Sequence, residues 1–190
     1  MKPLDLQLGV SELFAILIPG FLIVVVGIEI FEIVNISDAS TNVWFIVSIA
    51  SYIFGHIFFA IGSQWDKIYD KVKPKGNEPL LNTIDNIRGN FEQYPCENIN
   101  NYKWSRAFLS KQHPEGYSEV LRHEADSKLF RSLILPIIFT CIFLLISQYW
   151  YPGIIAIGMA YIAFARYKDQ RFKGCKLAYT HVIVLMQSKQ

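Results

Sequence analysis

Three stretches of the chain carry no charged side chain: residues 13–28, 39–65 and 132–165. A helix crosses the hydrocarbon core of a bilayer with about 20 apolar residues, each rising 1.5 Å. The first stretch predicts a span over Glu12–Phe31, with Ser11 as N-cap and Pro19-Gly20 as a bend or hinge inside it. The second predicts Val43–Gln64, with Trp44 and Trp65 as interfacial aromatics at its ends. The third is long enough to be folded back. Tyr149-Trp-Tyr-Pro-Gly153 divides it into Ser132–Tyr149 and Pro152–Ala165, a tight hairpin. The pattern therefore predicts an all-α membrane protein with four transmembrane helices.

Between the second and third spans the pattern changes to short polar helices. Trp65, Ile68, Tyr69 and Val72 keep helical spacing, so the second span is expected to project about two turns further, to Pro74-Lys-Gly76. Leu80–Phe91 and Ile99–Leu109 are two short helices separated by Tyr94-Pro95. After His113-Pro114-Glu-Gly116 a long helix begins, with Tyr117, Leu121, Ala125 and Leu129 stepping every four residues. It enters the third span without a break. Pro136 lies one turn inside the apolar part, where a span tolerates proline if neighbours satisfy the freed carbonyl. Arg166–Gln190 reads as a basic, helical tail in which Gly174 allows a break. The organisation expected is 1–65, a first transmembrane hairpin; 66–131, a small helical cytosolic layer; 132–165, a second hairpin; and 166–190, the tail.

Charge adds sidedness. Residues 1–63 have one Lys against five acidic side chains, 64–131 are nearly balanced, and 166–190 have six basic side chains against Asp169. Neither short connecting loop has Lys or Arg, so the positive-inside rule places both termini of a multi-pass membrane protein in the cytosol. The first span, with one Lys before it and no small-x-small cleavage site after it, is expected to be retained. Cys96, Cys141 and Cys175 form no C-x-x-C pair and suggest neither a disulfide framework nor a zinc site.

Candidate chemistry is sparse. His56 lies mid-span, where an ionisable group is either hydrogen-bonding glue or a gating element. Ser51 and His56 are five residues apart and point about 140° from each other on a helix, too far round to pair as nucleophile and base. His113, His123 and Glu124 lack the H-E-x-x-H spacing, and no phosphate loop, dinucleotide fingerprint or nucleophile elbow is present. No enzymatic activity and no cofactor are expected. Ser51 and Gly55 form a small-x-x-x-small pair, as do Ala156 and Ala160, so close helix packing and a homo-oligomer are expected. Lys128, Arg131, Arg166, Lys168, Arg171 and Lys173 gather at the mouths of the second hairpin. They suit an anionic lipid bilayer or a specific phosphate ligand such as a nucleotide signal or nucleic acid.

Pro19-Gly20, Tyr52-x-x-Gly55-His56, Phe130-Arg131-Ser-Leu133 and Arg166-Tyr-x-x-Gln-Arg171 give the chain a resemblance to a known group. It resembles the small multi-span inner-membrane proteins of bacterial anti-phage defence, which include the membrane subunit of Kiwa and the transmembrane effectors of retron and cyclic-nucleotide systems. The resemblance implies a role in defence at the bacterial inner membrane, and the continuous helix from polar layer to kinked span leads to the reading of an effector that perturbs membrane integrity when its cytosolic face is triggered. The alternative is a scaffold that docks a soluble defence partner through Trp104, Phe108, Tyr117 and Tyr179. No nucleotide-sensing fold is joined to the spans, a departure from the cyclic-nucleotide effectors.

Overall fold

A computed structural model describes residues 3–31, 39–72, 78–91 and 100–188, with side chains described from Leu13 onward and not for 70–72 or 90–91. The predicted breaks at Pro74–Gly76 and Tyr94-Pro95, together with Cys96 and the chain ends, lie outside the described residues. Seven helices are present among them: α1 (Pro3–Phe31), α2 (Thr41–Gly62), α3 (Trp65–Val72), α4 (Glu78–Phe91), α5 (Asn101–Gln112), α6 (Pro114–Ile146) and α7 (Trp150–Gln187). They form two compact units, Met1–Lys71 with Ala125–Lys168, and Val72–Glu124 with Asp169–Gln190.

Three helical segments are long and apolar enough to cross a membrane: Leu13–Phe31, Thr41–Tyr69 and Pro114–Ile146. The expected four-span architecture is therefore corrected to three. The predicted fourth span, Pro152–Ala165, is the first half of α7 and fails on length and composition. Its apolar stretch Ile154–Ala165 rises about 18 Å against a core of roughly 30 Å. It is also diluted by four alanines, Gly158 and Tyr161, and flanked by Trp150-Tyr-Pro and Arg166. By contrast α6 runs from Leu129 to Ile146 through dense Leu, Ile and Phe with Arg131 as its one charge. The even number of spans that put both termini on one side is lost with this correction.

In the first unit α1 and α2 meet at glycines. A methyl group on Gly20 would strike the Ser51 carbonyl and lie 2.6 Å from the Gly55 nitrogen, and one on Gly55 would strike the Ile16 carbonyl. Backbones this close gain dispersion contact that larger side chains would forbid. Pro19 is fully buried in an unbroken α1. Ser132 ties α6 to α1 by donating to the Ala15 carbonyl at 2.8 Å. Ile134, Ile137 and Cys141 of α6 pack with Ala156 and Ala163 of α7.

The turn between α6 and α7 closes with Tyr149 N donating to Leu144 O at 2.9 Å and Gln148 N to Leu145 O at 3.2 Å. This Schellman arrangement needs a left-handed residue, and Gln148 supplies it at φ 64°. One turn on, a methyl group on Gly153 would lie 2.6 Å from Leu145 Cδ2.

α2 does not continue smoothly into α3 as the spacing predicts. Ser63 Oγ donates to Ala60 O at 2.6 Å while Ser63 N and Gln64 N reach back only three residues. Side-chain competition for that carbonyl tightens the backbone into a turn before Trp65.

The second unit is built from α4, α5, the start of α6 and the end of α7. Asn100 caps α5 by accepting from Lys103 N at 2.9 Å, and Pro114 occupies the first turn of α6 where its missing N–H costs nothing. Ile84, Tyr102, Leu109, Val120, Ala178, Tyr179 and Val182 form its core. The predicted tail is the unbroken second half of α7. Gly174 is buried in it, with Cβ room limited by His123.

Candidate functional site

The first unit holds a half-buried charge pair. Asp66 follows the turn that ends α2, so its carboxylate stands at the edge of the apolar stretch. Arg131 stands at the corresponding edge of α6. Its Nη1 donates to Asp66 Oδ2 at 2.7 Å, and Tyr167 of α7 donates its hydroxyl to Asp66 Oδ1, also at 2.7 Å. Only 8% of Arg131 is accessible, and its guanidinium lies over the Phe59 ring at 5.3 Å. Tyr167 is 1% accessible and meets Tyr69 edge-on. One carboxylate thus holds three helices through both its oxygens. The charge that α6 carries into its span is neutralised inside the protein, which is how such a charge is tolerated next to hydrocarbon. Arg131 Nε is buried and has no hydrogen-bond partner among the described residues.

The second unit holds another. Glu124 on α6 accepts from Arg106 Nη1 at 2.7 Å and from the Tyr102 hydroxyl at 3.0 Å. Two guanidinium groups lie over the Tyr102 ring, Arg106 at 5.8 Å and Arg171 at 5.1 Å from its centre. Burial, then the negative Glu124, raise the Tyr102 pKa well above the ordinary phenol range, so the hydroxyl stays a donor. For Arg106 burial acts to weaken the charge. The groups facing it, Glu124 first, outweigh burial and raise its pKa. Beside this pair His123 Nδ1 donates to Gln170 Oε1 at 2.7 Å. At the far end of α5, His113 and His181 meet edge-on at 5.6 Å, and His181 Nε2 is 3.2 Å from Glu119 Oε2.

These arrangements bind helices together. No group of three or more His, Cys, Asp and Glu side chains that would hold a metal is present among the described residues.

The six predicted basic residues are shared between the two units. Lys128, Arg131, Arg166 and Lys168 belong to the first unit and Arg171 and Lys173 to the second. Arg131 is turned inward to Asp66, Arg171 lies over Tyr102, and Lys173 pairs with Asp169 at 2.8 Å. Arg166 is exposed.

Of the intramembrane candidates, Gly20, Ser51 and Gly55 come together at the α1–α2 contact, where Ser51 Oγ donates to its own Val47 carbonyl at 2.7 Å, and Pro19 is buried beside Gly20 in sequence. Pro136 is fully buried, and Thr140 Oγ1 donates to its carbonyl at 2.9 Å. His56 is apart from all of these on the exposed face of α2. The aromatics named as docking anchors are part of the second unit's core: Tyr179 is buried in it, and Trp104, Phe108 and Tyr117 pack against it.

Asp66, Tyr167, Arg106 and Tyr102 were not singled out by sequence, and Glu124 was weighed only as a zinc ligand. The available signal was a charge on the apolar side of a helix: Val120, Glu124, Ser127 and Arg131 lie on one buried face of α6.

Compared with known proteins, the chain matches no family model, no curated protein and no solved structure.

Proposed function

We propose that the chain is a non-enzymatic inner-membrane component of bacterial anti-phage defence. In this reading it is an oligomeric effector that perturbs membrane integrity when its polar helical unit is triggered. The observation that carries it is continuity. α6 and α7 each contribute residues to both compact units, and neither is interrupted along its 33 or 38 residues. A trigger that binds the polar unit acts directly on helices that also pack in the unit containing the apolar spans. It shifts the membrane part only as far as its affinity differs between two states. The resemblance to small defence proteins supplies the setting, and the exposed Arg166 remains suited to an anionic lipid surface.

The scaffold alternative is less well supported, because its proposed aromatic anchors are spent on the core of the second unit. The test is to follow membrane potential with a fluorescent reporter in bacteria expressing the chain within its native gene neighbourhood during phage challenge. Depolarisation before lysis is expected. Protected cells that keep their potential throughout overturn the effector reading.

A further inference from the structure

One face of α2 is polar where lipid should be. Ser48, Tyr52 and His56 follow one another at four-residue spacing and are all exposed, within a segment long and apolar enough to span. Ser48 satisfies itself by donating to the Trp44 carbonyl at 2.9 Å. Tyr52 and His56 touch only edge to face, ring centres 4.6 Å apart, and no hydrogen bond to either side chain is present among the described residues. The neighbouring face, about 100° round the helix, carries Val47, Ser51, Gly55, Phe58 and Gly62 and is the one buried within the chain. Gly55 there meets Ile16 of α1, and Gly62 lies 3.4 Å, counted from an added Cβ, from the Arg131 carbonyl.

We propose that the Ser48–Tyr52–His56 face of α2 is the contact with a second copy of this chain. Hydrocarbon offers no acceptor for a phenol O–H or an imidazole N–H, so this face needs a partner at its own depth. A second copy, inserted in the same direction, brings Tyr52 and His56 to that same depth by identity. Each group is both donor and acceptor, so a two-fold axis beside α2 lets each His56 meet the other copy's Tyr52, and the pairing closes in both directions. Phe45 and Ile49, exposed on the same side, supply apolar contact around the polar pair. This deepens the oligomer in the proposed function by naming its interface, and rests on that reading only for α2 being in the membrane.

The test is disulfide cross-linking in native membranes, with the unmodified chain in parallel as control for its three cysteines. Ser48→Cys is expected to give a covalent dimer at least five-fold above that control, and Ile57→Cys, about a third of a turn or more away around the helix, none above it. In the Ser48→Cys chain, adding His56→Leu should lower the dimer yield several-fold, and His56→Gln, which keeps donor and acceptor, should largely preserve it. Equal cross-linking from Ile57, none from Ser48, or no effect of His56→Leu overturns the proposal. So does a product whose partner is another protein rather than a second 21.9 kDa chain. Depolarisation without these cross-links leaves the effector reading standing and removes this interface.

Discussion

Arg131 is the residue whose role changes most between sequence and structure. By position it marks the cytosolic edge of a span, and on that basis it suits phosphate or lipid. Its inward turn depends on Asp66, 65 positions earlier, and no local pattern announces such a pairing. A double-mutant cycle on Asp66→Ala and Arg131→Ala, read as thermal stability in detergent, should give a coupling of about 1–2 kcal/mol, moderated by the partial exposure of Asp66. Arg131→Ala alone leaves Asp66 with Tyr167. Asp66→Ala strands a buried guanidinium and should be the more damaging of the two.

Tyr102 allows a pH test in the second unit. Its folded pKa is raised, so the native state holds the phenolic proton more tightly than the unfolded chain does. The stability it contributes is fully present below the ordinary phenol pKa of about 10 and is lost as pH rises beyond that value. Thermal melts between pH 9 and 11 should fall more steeply for the parent than for Tyr102→Phe.

At the scale of elements, helix content and most helix positions could be read from sequence, because apolar periodicity and breakers such as His113-Pro114 are local. The long helix was expected from Tyr117 and begins at Pro114. What periodicity could not rank was how apolar a stretch must be to cross. Pro152–Ala165 looked like a span because it lacks charge, yet it is short and rich in alanine. The α2–α3 turn was missed because Ser63 ends the helix through its own side chain, a feature without a strong sequence signature. Pro19-Gly20 was expected as a hinge. In the structure Gly20 is a point of closest approach. Gly20→Ala should therefore separate α1 from α2 and lower stability in detergent by several degrees. Gly27→Ala in the same helix, with nothing within 4 Å of the added methyl, should be neutral or slightly stabilising.

For the whole molecule, the informative fact is how the chain is shared between its units. The second unit takes Val72–Glu124 and then waits for Asp169–Gln190, so its core closes only when Ala178, Tyr179 and Val182 arrive. Truncation after Lys168 removes those three and leaves Ile84, Leu109 and Val120 without cover. Limited proteolysis of such a chain in membranes should cut rapidly within 72–124 while fragments containing residues 41–69 remain protected. A truncated chain as resistant as the parent would mean that the second unit folds without its last segment.

The closed turn at Gln148 has a mechanical consequence. Its two backbone bonds fix where α6 ends, and Leu145 seated over Gly153 fixes where α7 begins beside it. At that end of the pair a lengthwise slip would have to break the turn and drive Leu145 into a neighbouring backbone. A piston stroke of α6 past α7 is therefore closed off there. Any mechanical signal along these helices has to arrive as tilt or as torsion about their axes.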